Sequence, residues 1–166
     1  MTAPQMLDKL LNAYRTYYDV RRENVAPPFV AEASFRSHTE QYFLIRAARI
    51  SEAESNEYVF FALEETLSVA RLRELDAAAW NVGLSRVTPH KDHRNTDITA
   101  LILAERVHPD AAALIPKLRY YKSYRFGLQG WSHYRLAVAD ADAGRVICNR
   151  QGRTLRELFR RNLGIS

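Results

Sequence analysis

Two stretches of this sequence carry residue types that could do chemistry. The first is His90-Lys-Asp-His93-Arg-Asn-Thr-Asp97, two imidazoles and two carboxylates in a polar run. Imidazole and carboxylate can hold a transition metal, and an imidazole titrating near neutrality can move protons. On that reading His90, His93 and Asp97 would serve a small metal-assisted hydrolase or nuclease-like enzyme. The spacing lacks the helical geometry of a His-Glu-x-x-His motif, and a solvated, charged loop ahead of a core strand accounts for it equally well. The second stretch runs from Lys117 through Leu-Arg-Tyr-Tyr-Lys-Ser-Tyr-Arg-Phe-Gly-Leu-Gln-Gly to Trp131. Cations can neutralise phosphates, and interleaved rings can stack on unpaired bases. The same rings could instead be core or dimer contacts, with the basic stems lying over them.

Charge points to the second stretch. The 166-residue chain has a formal net charge of +5. Residues 117–166 hold 11 Lys/Arg against 3 Asp/Glu, whereas residues 1–116 are net acidic. An asymmetry of this kind favours an anionic partner for the C-terminal third. Lys117, Arg119, Lys122, Arg125 and Trp131 are therefore the expected anion-binding residues. A further basic set, Arg156, Arg160 and Arg161 with Arg145, Arg150 and Arg153, would join them only if the fold brought the two together.

Other classes find no support. There is no Gly-x-Gly-x-x-Gly, no Walker A loop and no Gly-x-Ser-x-Gly elbow. A lone cysteine, Cys148, allows neither an intrachain disulfide nor a multi-cysteine metal site, and it reads as a buried strand residue. No cofactor is implied. The paired carboxylates Glu64-Glu65 and Asp140/Asp142 read as structural or solvated. No apolar run approaches the roughly 20 residues that span a bilayer, and the first residues do not form a signal peptide. A cytoplasmic protein without membrane contact is expected.

The elements that would position these residues follow from periodicity and punctuation. Met6, Leu7, Leu10, Leu11, Tyr14, Tyr17 and Tyr18 mark a helix from Pro4 to about Glu23, ended by Pro27-Pro28. Tyr42–Ile50 and Tyr58–Leu63 predict a hairpin of two strands, and the continuous apolarity of the second implies cover on both faces. Ser68 to about Val82 is helical. Ile98–Ala104 is the expected central strand. His108-Pro-Asp opens a helix that Pro116 kinks or divides. Tyr134, Leu136 and Val138 alternate along a fourth strand, Asp140–Gly144 turns, and Arg145–Asn149 is a fifth. Thr154-Leu-Arg-Glu157 has the pattern of a capping box for a last helix. The expected fold is one α+β domain over residues 1–166, of order α-β-β-α-β-α-β-β-α, around a mainly antiparallel five-stranded sheet.

The stretch Lys122–Trp131, followed by Asn149-Arg-Gln-Gly152 and preceded by His93 and Thr96-Asp97, resembles a family of small bacterial proteins with no assigned function. The resemblance implies a compact α+β domain and brings no activity or catalytic residues. The function expected from the residues is a non-enzymatic binding module for an anionic partner, nucleic acid among them. The alternatives are the hydrolase above and a homo-oligomeric structural protein, a homodimer burying its aromatic surplus at a two-fold interface.

Overall fold

A computed structural model describes residues 1–36, 54–90 and 93–166. The predicted strand Tyr42–Ile50, and with it the predicted hairpin, lies outside the described residues. Among the described residues, seven strands and four helices form three layers: β1 (Asp19–Arg21), β2 (Ala31–Arg36), β3 (Glu54–Leu67), β4 (His93–Val107), β5 (Tyr121–Ser123), β6 (Trp131–Asp140) and β7 (Arg145–Cys148), with α1 (Ala3–Tyr14), α2 (Val69–Ser85), α3 (Pro109–Leu114) and α4 (Arg156–Leu163). The α+β class stands.

The sheet order is β1-β2-β3-β4-β6-β5, with β7 on the same outer edge of β6 as β5. The expectation of a mainly antiparallel five-stranded sheet needs correction. β3 with β4 and β4 with β6 are parallel, and these are the long central pairings. Antiparallel pairing is confined to the flanks. The reason lies in the connections: α2 separates β3 from β4, and α3 separates β4 from β6. A helical crossover returns the chain to the same end of the sheet, so the next strand runs parallel.

Both faces of the central strands are covered. Val59, Phe61, Leu101, Leu103, Ala137 and Ala139 pack beneath α1 and α4. Their alternating neighbours Phe60, Ile98, Ala100, Ile102, Leu136 and Val138 pack against α2 and α3. This double burial is why Tyr58–Leu63 and Ile98–Ala104 read as unbroken apolar runs. Among the described residues no helix is long and apolar enough to cross a membrane.

Local chemistry shifts several expected boundaries. Thr2 caps α1 with a reciprocal box: its hydroxyl accepts from the Gln5 N–H, and the Gln5 side chain accepts from the Thr2 N–H. The helix ends at Tyr14 rather than Glu23, because the chain turns so that the Tyr18 hydroxyl can donate to Glu57 at 2.6 Å and Val20 can pair in β1. The predicted box at Thr154 does not form. Thr154 lies in a 3-10 turn, Gln151–Leu155, where its hydroxyl donates to the Gln151 carbonyl, and Glu157 binds Arg160 and Arg161 instead. Buried Gly152 and Leu155 anchor that turn. Pro116 ends α3 in a 3-10 turn as expected, and Cys148 is buried on β7.

Gly83 in α2 faces the sheet, where an added Cβ would lie 2.6 Å from the fully buried Ile98 side chain. Ala in place of a helical Gly usually stabilises by about 1 kcal/mol. Here overpacking of about 1–3 kcal/mol opposes it, so Gly83→Ala is expected to lower the urea midpoint, and a raised midpoint would contradict this packing.

Candidate anion-binding edge and a second polar cavity

β5 and β6 form a hairpin, with Tyr121 opposite His133 and Ser123 opposite Trp131. Its loop, residues 124–130, is closed by its own backbone: the Tyr124 N–H donates to the Gly130 carbonyl, and the Gly127 and Gln129 N–H groups donate to the Tyr124 carbonyl. Arg125, Phe126 and Gly127 all take positive φ, at 47°, 54° and 87°. Left-handed backbone at two non-glycine residues costs of order 1–3 kcal/mol each and persists only where the surroundings enforce it. The enforcement comes from β4. His93 Nδ1 lies 2.6 Å from the Gln129 carbonyl, which only accepts, so Nδ1 donates. Gly130 sits so close that a Cβ would collide with the Arg94 carbonyl oxygen. Tyr124 meets the His93 ring edge-on, and its hydroxyl bonds Ser132. The result is a fixed tip with Phe126 fully exposed and Leu128 largely so.

Beside the hairpin, β5 and β7 share the outer edge of β6 but leave a gap between them, which Asn149 bridges. Its Oδ1 accepts from the N–H groups of Leu136 and Gly152 at 3.0 and 2.8 Å, and its Nδ2 donates to the carbonyls of Leu118 and Tyr134 at 2.9 and 3.1 Å. Above this bridge lies a cavity of about 320 Å³ lined by Arg119, Tyr121, His133, Arg150 and Gln151, with Tyr120, Tyr134 and Asn149. Among the described residues no carboxylate lines it, and Tyr121 packs against His133 at 5.1 Å.

The fold therefore brings Arg119 together with Arg150, a residue 31 positions further along that enters through the turn after β7. Lys122 and Arg125 are exposed on the hairpin, and Lys117 is exposed at the end of the 3-10 turn after α3. Trp131 is half-buried in β6 between β4 and β5. Of the interleaved rings, Tyr121 and Phe126 are the exposed ones. Tyr120 stacks on Trp80 and donates to the buried Asp76 at 2.7 Å, an arrangement that pushes its phenol up to about 12 through burial and the carboxylate. The basic face of the last helix does not join this set: Arg160 and Arg161 are tied to Glu157, and Arg145 to Asp140.

His90, His93 and Asp97 do not converge. The His90 and His93 rings are 6.2 Å apart. His93 uses both nitrogens internally, with Nε2 2.8 Å from the Thr96 hydroxyl. Asp97 follows Thr96 on the strand, so its side chain leaves the opposite face of the sheet, where it accepts from Arg135 at 2.7 Å. Among the described residues no three His, Cys, Asp or Glu side chains gather as metal ligands would.

That opposite face holds a polar cluster with no motif in the sequence. Glu57 is buried and accepts from the Tyr18 hydroxyl at 2.6 Å and the Thr99 hydroxyl at 3.1 Å, with Arg135 Nη1 at 3.9 Å. Burial pushes the Glu57 carboxyl above its ordinary range, and the nearby Asp97 adds to this, outweighing Arg135 and the hydroxyl donors. Burial beside Glu57 likewise raises the Tyr18 and Tyr14 phenols. The available signal was parity: Glu57 and Arg135 fall on strands whose alternate residues are core.

A family model described as Domain of unknown function (DUF8052) matches residues 2–161. No curated protein and no solved structure gives a significant match.

Proposed function

The chain belongs to the family described as Domain of unknown function (DUF8052), and we propose that it is a binding module for single-stranded nucleic acid, engaged along the β5 edge. One observation carries the reading: Arg119 and Arg150 share a groove with Tyr121 and His133, and neither arginine has a carboxylate partner among the described residues. The same holds for Lys117, Lys122 and Arg125, whereas Arg135, Arg145, Arg160 and Arg161 are ion-paired. Arg153 and Arg156 are exposed without a carboxylate partner among the described residues, Arg156 donating to Cys148 Sγ, but neither lines the groove. Cations left free of internal partners keep their full attraction for phosphate. Arginine adds bidentate geometry. Exposed Tyr121 and Phe126 supply rings on which unpaired bases stack, worth about 1–3 kcal/mol per base. Bases inside a duplex do not offer those faces, which is why a single strand is favoured.

Fluorescence anisotropy with a short labelled oligouridylate tests this. Binding at low ionic strength is expected, weakening with salt with a log–log slope of about −0.7 per phosphate contacted. Arg119→Glu combined with Arg150→Glu should weaken it by at least about tenfold, and Tyr121→Ala should cost about 1–3 kcal/mol. Absence of binding at low salt, or full affinity in the folded double variant, would remove the proposal.

A further inference from the structure

The cavity around Glu57 lies on the α1 side of the sheet, away from the β5 edge. Two spaces, of about 310 and 350 Å³, share Tyr17, Tyr18, Glu57 and Arg135 in their linings and so adjoin as two lobes around these side chains. The first lobe holds the charged groups. Glu57 and Asp97 are direct neighbours in register on β3 and β4, and Arg135 from β6 reaches both. The second lobe is closed by Tyr14, Leu155 and Leu158.

We propose that this pocket binds a small primary amine carrying an apolar body, with the ammonium beside Glu57 and the body against Leu155 and Leu158. Charge decides the head group. Among the described lining residues there are two carboxylates and one cation. Asp97 is engaged by Arg135 at 2.7 Å, while Glu57 has Arg135 only at 3.9 Å and two hydroxyl donors. Among these described groups an incoming anion would meet two carboxylates, and a neutral ligand would leave their surplus charge uncompensated beside the buried Glu57. An ammonium compensates it, and Tyr17, which lines both lobes, offers a ring for cation–π attraction. Shape decides the body, because the lobe beyond Glu57 offers a ring and two leucines.

The groups facing Glu57 are Tyr14 and Tyr18 from the α1 end, Asp97 and Thr99 from β4, and Arg135 from β6. Burial raises the Glu57 carboxyl. A bound ammonium favours the carboxylate, so binding weakens as pH falls through that raised value, and it releases a proton wherever Glu57 starts protonated.

Isothermal titration calorimetry with phenethylamine tests the site, with phenethyl alcohol as neutral isostere. The amine is expected to bind saturably, at least about tenfold more tightly than the alcohol, with a heat that depends on buffer ionisation enthalpy wherever Glu57 is protonated in the free protein. Glu57→Gln should weaken the amine by at least about tenfold and abolish the buffer dependence. Because Glu57 is buried, Tyr17→Ala provides a second variant: Tyr17 is half exposed, so the fold should survive while affinity drops severalfold. Equal affinity for amine and alcohol, or undiminished amine binding in a folded Tyr17→Ala protein, overturns the assignment. Charge reversal at Arg119 and Arg150 is expected to leave amine binding unchanged, which separates this site from the nucleic-acid reading.

Discussion

Asn149→Ala is expected to destabilise the protein by about 4 kcal/mol, measured by urea denaturation. The side chain is 1% exposed as part of its residue and makes four hydrogen bonds, two accepted and two donated. Truncation strands the N–H groups of Leu136 and Gly152 and the carbonyls of Leu118 and Tyr134 at the β6 edge. Each buried polar group left unpaired costs about 1–3 kcal/mol, offset where the altered edge admits water. Asn149→Asp separates geometry from chemistry. A carboxylate still accepts from Leu136 and Gly152 but cannot donate to Leu118 and Tyr134, so it should fail nearly as badly as alanine despite its matching shape. A loss below about 1 kcal/mol in both variants would mean that Asn149 does not hold the gap between β5 and β7. The bridge also bears on function. It ties Leu118, next to Arg119, to the turn that carries Arg150, so Asn149→Ala should weaken oligouridylate binding even under conditions where the variant remains folded.

The second large effect is expected at Glu32, where alanine should cost about 3 kcal/mol. This β2 carboxylate is buried, with Arg86 at 2.8 and 3.0 Å, Arg21 at 3.0 Å and the Ala26 N–H at 2.8 Å. Arg86 follows α2, and its guanidinium also lies over the Phe60 ring at 5.2 Å, so the pair clamps the end of α2 to the sheet. Removing the carboxylate leaves a half-buried cation without its partner. That is why the cost exceeds the 0–1 kcal/mol or so of a surface pair. Glu32→Gln retains an acceptor and should lose less.

The pH dependence carries its own sign. Burial alone would raise the Glu32 carboxyl, but bonds from Arg86 and the Ala26 N–H, with Arg21, reverse this and hold it below the ordinary range. The native state therefore binds fewer protons than the unfolded chain in that window. The stabilisation is present above the unfolded carboxylate value of about 4.3 and is lost as pH falls through the folded value. Glu57 and Asp76 act oppositely. Burial raises both, so their contribution is greatest below their unfolded values and declines as pH rises through their folded ones. Urea midpoints followed from neutral to acid pH should show a shallower acid-side fall in Glu32→Ala. An unchanged slope would mean that Glu32 does not titrate as this geometry requires.

The helix faces and the interior strands were legible because they depend on neighbours in the chain. Leu7, Leu10 and Leu11 repeat at helical spacing, and Tyr134, Leu136 and Val138 alternate. β1 and β2 were not legible. Asp19–Arg21 is too short to show a period, and Ala31-Glu-Ala-Ser mixes small residues with a buried acid whose compensation, Arg86, comes 54 residues later. At the candidate site, the concentration of cations near Tyr121 and Phe126 was visible. Arg150 joining Arg119 was not, and neither was the polar pocket of Glu57, Asp97 and Arg135, whose members come from three separate strands.

By itself the sequence determined an α+β chain with doubly covered central strands, a buried cysteine and a cationic, ring-bearing C-terminal third. These are properties of composition and short-range period, on which burial acts directly. Only the tertiary structure decided that the central strands run parallel, that Asn149 bridges a gap in the β6 edge, and which arginines are ion-paired and which lack a carboxylate among the described residues. Strand pairing and ion pairing are chosen by groups distant in the chain competing for the same neighbours, and that competition is resolved by packing rather than by local pattern.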